Sequence, residues 1–267
     1  MIMRHVSKII FFIILLGLTQ QGQAVDKNLI QYVLNKYQHK ICNRDCLFYP
    51  AKNPKRLLIS FNGVAKNKYM MWSWFWKEDE NWDDTAYLFL KDDDTCWYLG
   101  NNQQSFVQDY STIINHFIAQ CKISNENVFT IGGSMGGYAA IFYATTLGLK
   151  GAIAINPQVD RKSWKLKVRG FDDIGRQWRD LQQVVGSSQK IPFISLIYSY
   201  HIRDKSAGNI LLETLKEKGA LTLLRRHNSR EHTGDAGITK EFVEGEIRYF
   251  ESLNNYNPTK STLGVRN

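Results

Sequence analysis

The 267-residue sequence predicts an α/β domain, a mostly parallel central sheet flanked by helices with a small cap insertion, and three features carry that expectation. Short apolar runs rich in β-formers alternate with stretches of helical periodicity across roughly residues 56 to 253. One junction, within Asn127–Leu149, passes from strand to helix through Gly132-Gly133-Ser134-Met135-Gly136-Gly137 with no spacer. An apolar content of 43%, with seven Trp, is that of a chain that buries a sizeable core.

The first residues read as an address rather than as fold. Arg4, His5 and Lys8 precede an unbroken apolar stretch, Ile9–Leu18; polar Gln20, Gln21 and Gln23 follow, with small Gly22 and Ala24. That order predicts a cleavable secretory signal over residues 1–24, with an apolar core too short to span a bilayer, and hence a periplasmic or secreted product with no stable membrane insertion. Four cysteines would remain after export: Cys42, Cys46, Cys96 and Cys121. An oxidising compartment predicts up to two disulfides, with a Cys96–Cys121 pairing disfavoured because a helix would hold the two apart. The cysteines form no complete four-ligand zinc set, so neither metal nor cofactor is expected. The formal charge of +9 suits anionic glycans, membranes or nucleic acid, but no nucleic-acid module is recognisable.

Taken in order, Leu29, Ile30, Val33, Leu34, Tyr37 and Ile41 recur at helical spacing, which predicts a helix leading into a Cys42-x-x-x-Cys46 loop, together residues 25–55. The main domain is expected over residues 56–256. Arg56–Phe61 is a buried strand bounded by Pro54 and by Asn62-Gly63. The loop from Gly63 to Asp84 holds Met70, Met71, Trp72, Trp74, Phe75, Trp76 and Trp82, a set that either covers the core or lines an acyl or sugar subsite. Tyr87–Leu90 is a strand, and Lys91-Asp92-Asp93-Asp94 a solvated turn without the alternate spacing of a calcium loop.

Helical periodicity then runs from Phe106 to Ile118, and Gly151–Ile155 is a further strand ending at Asn156-Pro157. Between about residues 158 and 190, Arg161, Lys162, Lys165, Lys167, Arg169, Arg176, Arg179 and Lys190 outnumber the acids, and this segment is expected to be a helical cap with Trp164, Phe171 and Trp178 turned inward. Pro192–Ser199 is a strand, Ile210–Lys218 a helix ended by Gly219, Ala220–Arg226 the last strand and Lys240–Leu253 the last helix. Residues 257–267 form a polar tail.

The chemistry centres on Ser134. At a strand-to-helix turn a serine is forced into a strained backbone that projects its Oγ beyond the sheet edge, and flanking glycines let strand and helix pass closely. No Lys follows these glycines, as a phosphate-cradling loop requires, and the spacing is not that of a dinucleotide fingerprint. A serine at pH 7 needs an imidazole within hydrogen-bond reach and a buried carboxylate to orient that imidazole. Asp204 lies just beyond the Pro192–Ser199 strand, ahead of a helix, and is expected to supply the carboxylate rather than to cap that helix or pair with Arg203. Two histidines follow the last strand; His232, with Gly234 beside it to turn the backbone, is favoured over His227.

The strand, the GGSMGG elbow, the alternating elements, Asp204 and His232 together resemble the α/β-hydrolase superfamily. That resemblance implies a serine hydrolase needing no cofactor, in which the backbone N–H groups of Met135 and of Gly63 or Val64 form the oxyanion hole. Phe61-Asn62-Gly63 stands where many lipases and esterases carry HGGG. With GGSMGGYAA it is also similar to hydrolase-fold proteins of bacterial surface-polysaccharide modification. The expectation is therefore an exported serine esterase acting on a small-molecule or glycan ester. The alternatives are an acyltransferase acting on a surface glycan, or a catalytically silent glycan- or partner-binding protein of the same fold.

Overall fold

The computed structural model describes residues 27–64, 68–71, 73, 84–164, 177–232 and 237–253. The expected signal, most of the aromatic loop, the middle of the expected cap with Phe171, Gly234 and the tail lie outside the described residues.

Eight strands form one sheet, in the order β1-β2-β4-β3-β5-β6-β7-β8. They are β1 (Gln38–Ile41), β2 (Arg44–Tyr49), β3 (Arg56–Phe61), β4 (Thr85–Leu90), β5 (Val128–Gly133), β6 (Gly151–Ile155), β7 (Phe193–Ser199) and β8 (Thr222–His227). From β4 through β3 to β8 every neighbouring pair is parallel, whereas β2 runs antiparallel to both β1 and β4. The helices are α1 (Lys27–Tyr37), α2 (Val107–Cys121), α3 (Met135–Thr146), α4 (Arg161–Trp164), α5 (Leu181–Ser187), α6 (Ile202–Glu217) and α7 (Lys240–Ser252).

Strand alternation sorts the core into two layers. Leu57, Ile59 and Phe61 of β3, with Ala86, Leu88 and Leu90 of β4, face the layer holding α2, α3, α5 and α6. Leu58, Tyr87 and Phe89 face the opposite layer, with Val33 of α1 and Val243, Ile247 and Phe250 of α7. Helix α3 is buried on every side from Met135 to Thr145, so it carries no polar stripe. Trp178 turns inward as expected: its ring lies 4.8 Å from Tyr138 of α3 and 6.1 Å from Trp97.

Three readings of the sequence are corrected. The first helix stops at Tyr37, and the segment expected to carry it through Ile41 into a cysteine loop is instead a hairpin belonging to the sheet. Its two turn residues, Cys42 and Asn43, both have positive φ, 52° and 58°, the backbone that a two-residue hairpin with native twist demands. Second, α6 starts at Ile202, well before Ile210; Gly208 lies inside it, where a Cβ would come within 2.8 Å of the Tyr198 ring, so glycine here lets the helix lie close on β7. Third, Asp92 is not solvated. It is fully buried, and one carboxylate oxygen accepts the N–H groups of Cys96 and Tyr98 at 2.8 and 2.9 Å, while burial pushes its pKa upward.

The expected disulfides are not formed, because all four cysteines are free thiols. Cys42 sits on the exposed hairpin turn, whereas Cys46 is buried in β2 with its Sγ 3.8 Å from the His39 carbonyl. Burial pushes the Cys46 thiol up to about 12 and raises those of Cys96 and Cys121. An aromatic disulfide reagent should therefore modify Cys42 rapidly in the native protein and reach all four only in denaturant. Finding no free thiol in denaturant would restore the cross-links.

Candidate active site

The site is assembled at the carboxyl ends of β5, β6, β7 and β8, beginning at the turn between β5 and α3. Ser134 has φ 56° and ψ −116°, a conformation outside both helix and strand that costs of order 1–3 kcal/mol unless its surroundings hold it. They do: its N–H donates to the Ile155 carbonyl at 2.8 Å, and its carbonyl accepts from Tyr138 N–H at 3.0 Å. Two of the four glycines make the turn possible. A Cβ on Gly132 would lie 2.2 Å from the Gly136 carbonyl oxygen, and one on Gly136 would lie 2.2 Å from that of Phe61.

The structure brings Ser134, His232 and Asp204 together. His232 Nε2 lies 2.7 Å from Ser134 Oγ, and its Nδ1 lies 2.7 Å from Asp204 Oδ1. An ionised carboxylate only accepts, so Nδ1 carries the proton and Nε2 presents its lone pair to the serine hydroxyl. Asp204 is 1% exposed and sits in the first turn of α6, where the positive end of the helix dipole favours its charge. Its second oxygen accepts the Ser199 hydroxyl at 2.6 Å, and the Ser199 Oγ accepts the N–H of His201 at 3.1 Å.

Two contributors were missed in the sequence. Asn156, at the end of β6, is buried with φ 44°. Its Oδ1 accepts the Ser199 N–H at 2.8 Å and its Nδ2 donates to the His232 carbonyl at 2.7 Å, so one amide fastens the histidine loop to the strand that leads to the acid. Ser199 is the other. His227, the rival histidine, ends β8 with Nε2 3.4 Å from the Asn156 side chain. The sole sequence hint for Asn156 was an Asn at a strand end, since Asn tolerates positive φ.

The positions expected to donate to an oxyanion flank the same turn. Met135 is the first residue of α3, so its N–H has no intrahelical acceptor and lies at the positive end of the helix. Gly63 passes beside the elbow, where a Cβ would lie 3.4 Å from the Gly133 carbonyl; Val64 is the next residue and is exposed. Asn62 fixes this stretch: its N–H donates to Leu90 O at 3.1 Å, its side chain donates to Lys68 O at 2.7 Å, and its carbonyl accepts the Tyr98 hydroxyl at 3.0 Å.

No protein-family profile matches the chain, and no curated protein matches it in sequence. Solved structures do. The chain is similar to the capsule O-acetyltransferase of Neisseria meningitidis serogroup A, with TM-score 0.58 and 15% identity over 81% of this chain and 92% of that one. It is similar to the fluorophosphonate-binding serine hydrolase F of Staphylococcus aureus, with TM-score 0.58 and 13% identity over 78% and 92% of the two chains. The S-formylglutathione hydrolase of Staphylococcus aureus also matches, with TM-score 0.54 and 13% identity over 78% and 92%.

Proposed function

From the premise that this chain has the α/β-hydrolase fold, we propose that it is a serine hydrolase that cleaves carboxylic esters through an acyl-enzyme on Ser134. The observation that carries the reading is the imidazole of His232, hydrogen-bonded at 2.7 Å to a hydroxyl on one side and at 2.7 Å to a buried carboxylate on the other. Ser134 Oγ attacks the ester carbonyl as His232 Nε2 takes its proton, and Asp204 stabilises the imidazolium. The carbonyl oxygen becomes an oxyanion held by the N–H of Met135 and that of Gly63 or Val64. The intermediate collapses, the C–O bond to the alcohol breaks, and His232 returns its proton to that leaving oxygen. A second hydroxyl then attacks the acyl carbonyl as His232 takes its proton, the bond from the acyl carbon to Ser134 Oγ breaks, and His232 passes the proton to Oγ, which restores Ser134 and leaves the acyl group on the new oxygen.

If the second hydroxyl belongs to water the reaction is hydrolysis; if it belongs to a sugar the reaction is acyl transfer. The likeness to a capsule O-acetyltransferase supports a glycan as substrate or acceptor. The Ile9–Leu18 stretch and its flanks support export to the periplasm or beyond. A fluorophosphonate probe tests the core of the reading. It should label the intact protein covalently, and Ser134→Ala should take no label. An unlabelled wild-type protein would sink the enzyme reading in favour of a silent binding protein, and a label persisting in Ser134→Ala would place the nucleophile elsewhere.

A further inference from the structure

Beside the Ser134–His232 pair, Tyr200, His201, Ile202, Asn228 and Arg230 line a wide-open surface hollow of about 560 Å³. The His201 ring is centred 6.3 Å from that of His232, and its Nδ1 lies 3.9 Å from Asp204 Oδ2, so one lining residue stands beside the Ser134–His232–Asp204 cluster. The two walls of the hollow are the segments that follow β7 and β8, joined by a backbone hydrogen bond from Tyr200 N–H to Ser229 O at 2.8 Å. The second wall is braced further by Glu231 N–H donating to Ser229 Oγ at 3.0 Å. The hollow thus lies between two segments that are tied to each other through the backbone.

The lining has a consistent chemistry. Tyr200 is half exposed and Ile202 is 79% exposed, so both present apolar surface to the opening instead of to the core. Among the described residues, the side chains of Arg230 and Asn228 make no ion pair and no hydrogen bond. Among the described residues no Asp or Glu lines the hollow, and the chain as a whole carries +9. A guanidinium fork matches a carboxylate or a phosphate, a tyrosine ring shelters the apolar face of a sugar, and an amide serves hydroxyl groups.

We propose that this hollow is a subsite for an anionic carbohydrate, holding a sugar unit that bears a carboxylate or phosphate beside the unit that carries the ester. The inference rests on the ester chemistry proposed at Ser134 and adds the substrate class: an anionic oligosaccharide, whose second unit supplies binding energy remote from the reacting bond. Inorganic ions screen such a contact, so affinity falls as salt rises.

Calorimetric titration of the full chain tests it with three probes: trigalacturonate, glucose 6-phosphate and neutral maltotriose. At low salt at least one anionic probe should bind at least about tenfold more tightly than maltotriose, and Arg230→Ala, whose folding is checked by circular dichroism, should remove that preference. Which anionic probe binds identifies the acid group. Equal binding of all three, binding of neither anion, or an undiminished preference in Arg230→Ala would each overturn the subsite. Fluorophosphonate labelling of the same preparations keeps the two readings apart. Anion binding by a protein that takes no label would leave the subsite and remove the esterase; a labelled protein indifferent to anions would do the reverse.

Discussion

His232→Ala is expected to lower kcat for a p-nitrophenyl ester by about 10⁴- to 10⁶-fold with KM little changed. The imidazole is the group that can both accept the Ser134 proton and hand it to the leaving alcohol, and both its nitrogens are engaged at 2.7 Å. Such a loss corresponds to about 5–8 kcal/mol of transition-state stabilisation, far beyond the roughly 1 kcal/mol of an ordinary hydrogen bond. Because the groups act as a unit, Ser134→Ala combined with His232→Ala should be no slower than either variant alone. His227→Ala should cost less than about tenfold, since its Nε2 lies against the Asn156 amide at 3.4 Å. Steady-state rates on the four variants check the assignment. A large loss at position 227 with a small one at 232 would transfer the role of base to the rival.

What could be read from the sequence was what is local. The elbow needs contiguous residues, a strand, glycines and a serine, so Ser134 and its strained backbone were visible in one stretch. Asp204 and His232 were reachable because each follows a recognisable strand, and parallel strands deliver their carboxyl ends to the same rim. Asn156 was not, because its meaning lies in contacts with Ser199 and His232, 43 and 76 residues away. Ser199 was seen only as the end of β7, whereas its hydroxyl completes the hydrogen bonding of the acid. The β1–β2 hairpin was hidden for another reason. Gln38, His39 and Lys40 are exposed on an edge strand, so they leave no alternating apolar pattern, and Ile41 happens to continue the spacing of α1. The start of α6 was masked by Gly208, which reads as a helix breaker until the Tyr198 ring beneath it is seen.

Gly136→Ala is expected to damage the fold and the site together, destabilising the chain by at least about 3 kcal/mol. Its added Cβ would lie 2.2 Å from the Phe61 carbonyl oxygen and 2.9 Å from that of Asn62, and both are backbone atoms with no rotamer to escape into. Relief requires α3 to move away from β3, or the Phe61-Asn62-Gly63 segment to move away from the elbow, and either shift disturbs the expected oxyanion donors. For a domain of this size that is a fall in Tm of roughly 6–12 °C. Gly132→Ala should be as severe, because its Cβ would meet the Gly136 carbonyl group at 2.2 Å within the turn itself. Gly133→Ala should be mild, within about 1 kcal/mol, since its Cβ would meet only the Ile155 carbonyl oxygen at 3.9 Å. The glycines are alike in the sequence and unlike in space, so thermal melts of the three variants separate the geometry of an elbow from a generic need for flexibility. Three equal shifts would mean that helix, strand and loop do not meet at Gly136 as described, and with that contact would go the reason Ser134 is held at the sheet edge.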